Sequence, residues 1–144
     1  MGDVGASSFV EVDEVDQHQE LPTTPGVRSR RFPRAKHFAL RVSGDCMVDR
    51  GINDGDIVHL VDWIDTGLSP ISGMIVAVEE SRFAGQMRRW TLKEVEVLPD
   101  RYVLNPRSPN KAHRPIVIMR GGEDDGTEIR IFGLVYHVGR DIGF

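Results

Sequence analysis

Two residues in this sequence, Cys46 and Lys93, are the leading candidates for nucleophilic attack and proton transfer. Cys46 is the single cysteine of the chain, which excludes an intramolecular disulfide and a multi-cysteine zinc site. It stands in Gly44-Asp45-Cys46-Met47, just after a run ending at Ser43. Asp45 is a residue type that caps helices and Gly51 one that ends them, so the spacing predicts a single helical turn opened by Cys46. Backbone N–H groups at such a turn would face the thiol and favour the thiolate. The competing reading is a lone cysteine serving as a small buried hydrophobe. Lys93 lies in Trp90-Thr91-Leu92-Lys93-Glu94-Val95-Glu96-Val97. Alternation sets it beside Thr91, Val95 and Val97, with Glu94 and Glu96 on an opposite, half-exposed face. Such a lysine either rests at a rim with its head in water, or is desolvated with a lowered pKa. Only the second kind supplies a neutral amine as a general base near neutral pH.

The elements that must position these two residues read as strands. Phe38, Leu40 and Val42 alternate with polar or small neighbours from His37 onward, a period of two. Ile57–Val61 and Met74–Val78 are short apolar runs rich in β-branched residues. Trp90–Val97, Arg101–Leu104, Pro115–Met119 and Glu128–Val138 continue the series. Asn53-Asp54-Gly55-Asp56, Asn105-Pro106, Ser108-Pro109-Asn110 and Gly121-Gly122 separate them as turns. Nothing of ten residues or more carries a helical apolar period. The expectation is an all-β (mostly β) fold, a partly closed barrel of short strands occupying 37–144.

Residues 1–36 read differently. Asp3, Glu11, Asp13, Glu14, Asp16 and Glu20 make the start acidic, then Arg28, Arg30, Arg31, Arg34 and Lys36 make it basic among prolines. This is the pattern of an extended arm. At 144 residues and a net charge of −4, the chain suits one domain and argues against direct DNA binding. With no apolar run of membrane length and no basic-then-apolar leader, the expectation is a cytoplasmic protein without a membrane partner.

The segment Phe38-Ala-Leu-Arg-Val-Ser-Gly-Asp-Cys-Met-Val-Asp-Arg-Gly-Ile-Asn-Asp-Gly-Asp-Ile-Val58 resembles the nucleophile segment of the LexA/UmuD self-cleaving peptidases. Ser72-Gly73-Met74-Ile-Val-Ala77 resembles a strand of that family, and Thr91-Leu92-Lys93 resembles the segment bearing its catalytic lysine. Tyr102-Val-Leu-Asn-Pro, Arg114-Pro-Ile-Val117 and Ile131-Phe-Gly-Leu-Val135 fall where its closing strands would. The resemblance implies a LexA-like peptidase domain that hydrolyses a peptide bond, its own or a partner's. It assigns Cys46 as nucleophile, Lys93 as base, and the backbone around Asp45, Cys46 and Met47 as the oxyanion site. It further implies a homodimer, a place in SOS-type DNA-damage or repressor systems, and no cofactor. The alternative is a catalytically inactive dimerisation or interaction module of a repair, repressor or phage-defence system.

This chain departs from the family pattern in holding cysteine where the family has serine. A thiol is the stronger nucleophile and needs less help from a base. The interval from Cys46 to Lys93 also exceeds the family's usual spacing; the excess falls in Glu80–Arg89 and predicts an enlarged hairpin with both strands kept in register. Self-cutting relatives break Ala-Gly or Cys-Gly upstream of the nucleophile, but the corresponding stretch near Glu11 has neither, so no cut is expected within residues 1–36. The closing strand, with Ile129, Ile131 and Val135 on one face and Phe132, Leu134, Tyr136 and Val138 on the other, is expected either to be central or to be covered by a second copy. Asp49, Asp54 and Asp56 fit turn and cap roles, and His18, His37, His59, His113 and His137 lack zinc spacing, so no metal is expected.

Overall fold

The structure, a computed structural model, describes residues 3–4, 10–11, 28–82, 87–119 and 127–139. It is built on one sheet of nine strands: β1 (Asp3–Val4), β2 (Val10–Glu11), β3 (His37–Val42), β4 (Ile57–Asp62), β5 (Ile75–Arg82), β6 (Met87–Val97), β7 (Arg101–Asn105), β8 (Ile116–Met119) and β9 (Thr127–Gly139). Their order is β1-β3-β4-β9-β5-β6-β7-β8, with β2 set against β6. All pairs are antiparallel except β1 with β3. β1 also approaches β6, so the sheet curls back toward itself. The helices of the described residues are a 3-10 turn at Val48–Arg50 and α1 (Trp63–Thr66), which Asp62 caps by accepting from the Ile64 N–H at 3.1 Å. No helix of the described residues is long and apolar enough to cross a membrane.

Alternation along the strands feeds two apolar clusters, one on each face. The first gathers Phe38, Leu40, Val42, Cys46, Met47, Ile52, Val58, Leu60, Ala77, Leu92 and Phe132. The second gathers Ala35, Val61, Val76, Val78, Val95, Leu104, Ile116 and Leu134. A strand that serves both cannot be apolar on one face alone, which explains the near-continuous runs of β4 and β5.

β9 is an interior strand between β4 and β5, and that placement accounts for its apolar character without a second copy of the chain. Its faces differ from simple alternation. The register shifts between Ala77 and Val78 and again between His59 and Leu60, each shift placing two residues of β9 against one of a neighbour. Phe132 and Val135 therefore join the first cluster, while Ile129, Ile131, Leu134 and Tyr136 join the second. Gly133 sits inside this irregular stretch, where a Cβ would lie 2.7 Å from Leu60 Cδ2 and 2.8 Å from Phe38 Cζ. Only a residue without a side chain fits there.

The arm is less separate than its composition predicts. β1 and β2 lie within it and pair with the sheet. Ala35 and Phe32 pack on the second cluster, and His37 ties the stretch down by accepting from the Ser29 N–H at 3.1 Å.

Candidate active site

The turn carrying Cys46 follows β3 and is held from both sides. Gly44 N–H donates to Asp54 Oδ1 at 2.8 Å, so that aspartate of the β3–β4 connection does the turn work expected of it. Downstream, Gly51 takes the left-handed conformation at φ 76° and closes the 3-10 turn by donating to the Val48 carbonyl, a geometry that favours glycine. The start of this turn differs from expectation. Met47, not Asp45, occupies the cap position, and no side chain caps it. Asp45 instead reaches away to His113, whose Nε2 lies 2.5 Å from Asp45 Oδ1, and to Asn110 Nδ2 at 3.4 Å. Cys46 thus precedes the helical turn and does not open it.

Cys46 is 1% exposed and free, packed in the first cluster with Met47 and Leu92. Burial pushes its thiol above the ordinary value of 9.0, while hydrogen bonding from the Leu92 backbone and the positive charge of Lys93 work the other way. Desolvation wins, so the ground state is the thiol and not the thiolate that the cap argument favoured. A nucleophile in this state needs a base.

Lys93 sits in the middle of β6 and is 2% exposed. Burial lowers its pKa from the ordinary 10.5; Cys46 and Glu80 oppose the shift, and Arg89 adds to it. The rim alternative is therefore excluded: the amine is inside. Its neighbour Glu94, expected on a half-exposed face, is buried as well. The carboxylate of Glu94 is paired with the Arg50 guanidinium, and Arg107 Nε donates to it at 2.7 Å. Glu96 on the same face is exposed.

Cys46 packs near Leu92 where, among the described residues, no strand pairs with the outer side of β6. β7 pairs with β6 only from Glu94 to Val97, and β2 only at Met87 and Arg88. Between these two ladders the Leu92 backbone is available to the sulfur. Each of the two groups lies within electrostatic reach of the other. Among the described residues, the hydrogen-bond partner of Lys93 Nζ is the Arg114 carbonyl oxygen at 3.3 Å, not the thiol.

The connection between β7 and β8 straps these parts together. Arg107 N–H donates to the Cys46 carbonyl at 2.8 Å, and Asp49 N–H donates to the Arg107 carbonyl at 2.8 Å. Further along, Asn110 and His113 take Asp45, and Arg114 takes Lys93. From the sequence, His113 is weighed only as a metal ligand, Arg114 only as part of a closing strand, and Arg107 not at all. The signal available was a run of turn formers, Asn105-Pro106 and Ser108-Pro109-Asn110, wedged between two strands. No group of three or more His, Cys, Asp or Glu side chains among the described residues could hold a metal ion.

The sequence is similar to several LexA repressors. The chain is 32% identical over 116 residues to LexA repressor 2 of Pseudomonas putida, covering 81% of this chain and 49% of the relative. It is 30% identical over 102 residues to the LexA repressor of Cereibacter sphaeroides, covering 71% and 43%. With the LexA repressor of Stenotrophomonas maltophilia it shares 30% identity over 117 residues, covering 81% and 43%. The chain thus spans about half the length of these relatives, or somewhat less. The profile of the family described as Peptidase S24-like matches residues 2–136, taking in β1 and β2 as well as the strands around Cys46 and Lys93, and the chain belongs to that family.

Proposed function

We propose that this chain hydrolyses a peptide bond, in its own sequence or in a partner, with Cys46 as nucleophile and Lys93 as general base. The observation that carries the reading is the buried lysine, depressed by desolvation, placed within electrostatic reach of a buried protonated thiol. In the first step the thiol proton passes to the neutral amine as sulfur attacks the scissile carbonyl carbon. The resulting ammonium returns that proton to the departing amine nitrogen, leaving a thioester on Cys46. Water then attacks the thioester, Lys93 takes a proton from it, and the thiol is restored as the acid product leaves. Among the described residues no backbone carbonyl takes the N–H groups of Cys46 and Met47; the Cys46 N–H lies against its own sulfur, and both are proposed as donors to the oxyanion. Met47, fully buried, supports the turn from beneath.

A peptide substrate suits the surroundings. β1 runs beside β3 at Arg41 and Val42, just before the nucleophile turn, and β2 runs beside β6 at Met87 and Arg88, just before the base. Extended chain is therefore accepted on both sides of the site, the mode by which sheet edges take peptides. The setting proposed is a cytoplasmic LexA-like repressor or damage-response system.

A second reading has one observation in its favour. A thiol that is buried and held protonated is also what an inert core cysteine looks like, and a non-catalytic interaction module would carry one. Intact mass after incubation at neutral and alkaline pH separates the two, with Cys46→Ala and Lys93→Ala as controls. Cleavage products that both substitutions abolish support the peptidase. Products that persist in both, or none with any LexA-type peptide supplied, favour the module.

A further inference from the structure

His113 is the most heavily buried side chain of the strap, its ring only 2% exposed, although Pro109–Ala112 and Arg114 around it are exposed. Its Nε2 meets Asp45 Oδ1 at 2.5 Å. The hydrogen bond from His113 is the leading reason that Asp45 ionises more readily than a free aspartate. An ionised carboxylate only accepts, so Nε2 carries the hydrogen. That assignment leaves His113 Nδ1 buried with no hydrogen-bond partner among the described residues. A buried ring nitrogen without a partner is costly, and an apolar ring would fill the space without that cost. Packing alone does not explain a histidine here.

What the ring holds does explain it. Asp45 immediately precedes the nucleophile, and Arg114, whose carbonyl oxygen takes Lys93 Nζ, immediately follows His113. The His113–Asp45 bond therefore joins the two halves of the site at one point. Asn110 reinforces it by donating from Nδ2 to Asp45 and by taking the His113 N–H on its carbonyl at 3.3 Å.

We propose that His113 is a positioning residue: through its bond to Asp45 it pins the strap so that the Arg114 carbonyl stays on the Lys93 amine and water stays out. This rests on the assignment of Lys93 as the base. Without the pin, the exposed strap lifts, the amine gains solvent, and the desolvation that lowers the Lys93 pKa is relieved. The charged and titratable groups that act on Lys93 are Cys46 from the turn, Arg89 on β6 and Glu80 on β5; Cys46 also feels the Asp45 carboxylate, which His113→Leu leaves in place.

The test follows the Lys93 side chain of the full chain by NMR, with lysine labelled at the ε carbon, across the alkaline range. His113→Leu is expected to move the Lys93 midpoint upward by about one pH unit. His113→Gln, whose amide nitrogen can replace Nε2 as the donor to Asp45, should return it close to the original position. Asp45→Ala, changed on the half-exposed partner in a Cys46→Ser background so that no thiol relays the lost charge to Lys93, gives the same upward shift relative to Cys46→Ser alone and keeps the test valid should His113→Leu fail to fold. An unmoved Lys93 midpoint in Asp45→Ala, or in a folded but less stable His113→Leu, overturns the proposal by showing that the pair only packs. The peptidase reading fails on different evidence, a cleavage rate that Lys93→Ala leaves unchanged, and the titration shift would stand apart from that result.

Discussion

Lys93 and Glu94 are consecutive residues of one strand, both buried and both ionisable, and the protein treats them in opposite ways. Glu94 is given two guanidinium groups, from Arg50 and Arg107, which approach from the nucleophile turn and from the strap. Its charge is neutralised where it stands, and it clasps those two segments to β6. Lys93 is given a peptide carbonyl and a thiol. The Glu80 carboxylate also acts on it, but that group is itself paired with Arg89, so burial still lowers the Lys93 pKa. One buried charge is paired directly; the next has no ion pair among the described residues, and its pKa is lowered. Pairing, more than burial, separates a clasp from the base proposed here.

The largest effect expected from breaking this contrast is on chemistry. Lys93→Met removes the base and the desolvated amine together, so peptide hydrolysis should fall by about 10²–10⁴ while thermal stability holds or rises. Rates measured on mass-verified folded protein check this, and a variant that cleaves at the original rate would dissolve the distinction between the two residues. Glu94→Gln should do the converse. It strands Arg50 and Arg107, both partly exposed and able to hydrate, so the cost is about 1–3 kcal/mol of unfolding free energy, with the reaction of folded molecules largely kept. Urea unfolding paired with activity per folded molecule reads both sides at once.

A pH experiment sharpens the comparison further. Lys93 is lowered on folding, so between its lowered value and 10.5 the unfolded chain binds the extra proton and stability rises with pH. Cys46 is raised, so above 9.0 the folded chain binds the extra proton and stability falls. In Cys46→Ser the second effect is gone, and the rise should stand alone with a slope of at most about 1.4 kcal/mol per pH unit; Lys93→Met should flatten it. The smallest effect belongs to Asp62→Ala, which removes the cap of α1 away from both residues. It should cost about 0.5–1 kcal/mol and leave Cys46 alkylation by a small reagent at its original rate.

Much of this was legible in the sequence, and what was missed has physical causes. Every strand from β3 to β9 announced itself by alternation or by a β-branched run. β1 and β2 did not, because two residues cannot display a period and their pairing is settled by distant strands. The faces of β9 were misjudged because a bulge shifts parity without leaving a mark in composition. Asp45 was taken for a cap because local chemistry permits it; the competing partner, His113, lies far along the chain. Cys46 and Lys93 were found through their motifs, but the identity of what holds them was not, since Arg107, His113 and Arg114 sit in a connection whose residue types mark only a turn.

The β5–β6 hairpin carries a lesson about distance along the chain. Its register runs without interruption from Ile75↔Glu94 to Arg82↔Met87, flanked by β9 along Val76–Arg82 and by β2 at Met87 and Arg88, so its outer rungs continue the sheet and leave those around Lys93 as they are. The hairpin works like a telescoping rod. Lengthening it in matched pairs changes how many residues separate Cys46 from Lys93, but not where either one stands. Searches that demand a fixed interval between nucleophile and base would pass over chains of this kind, whereas a rule stated in terms of strand register would retain them.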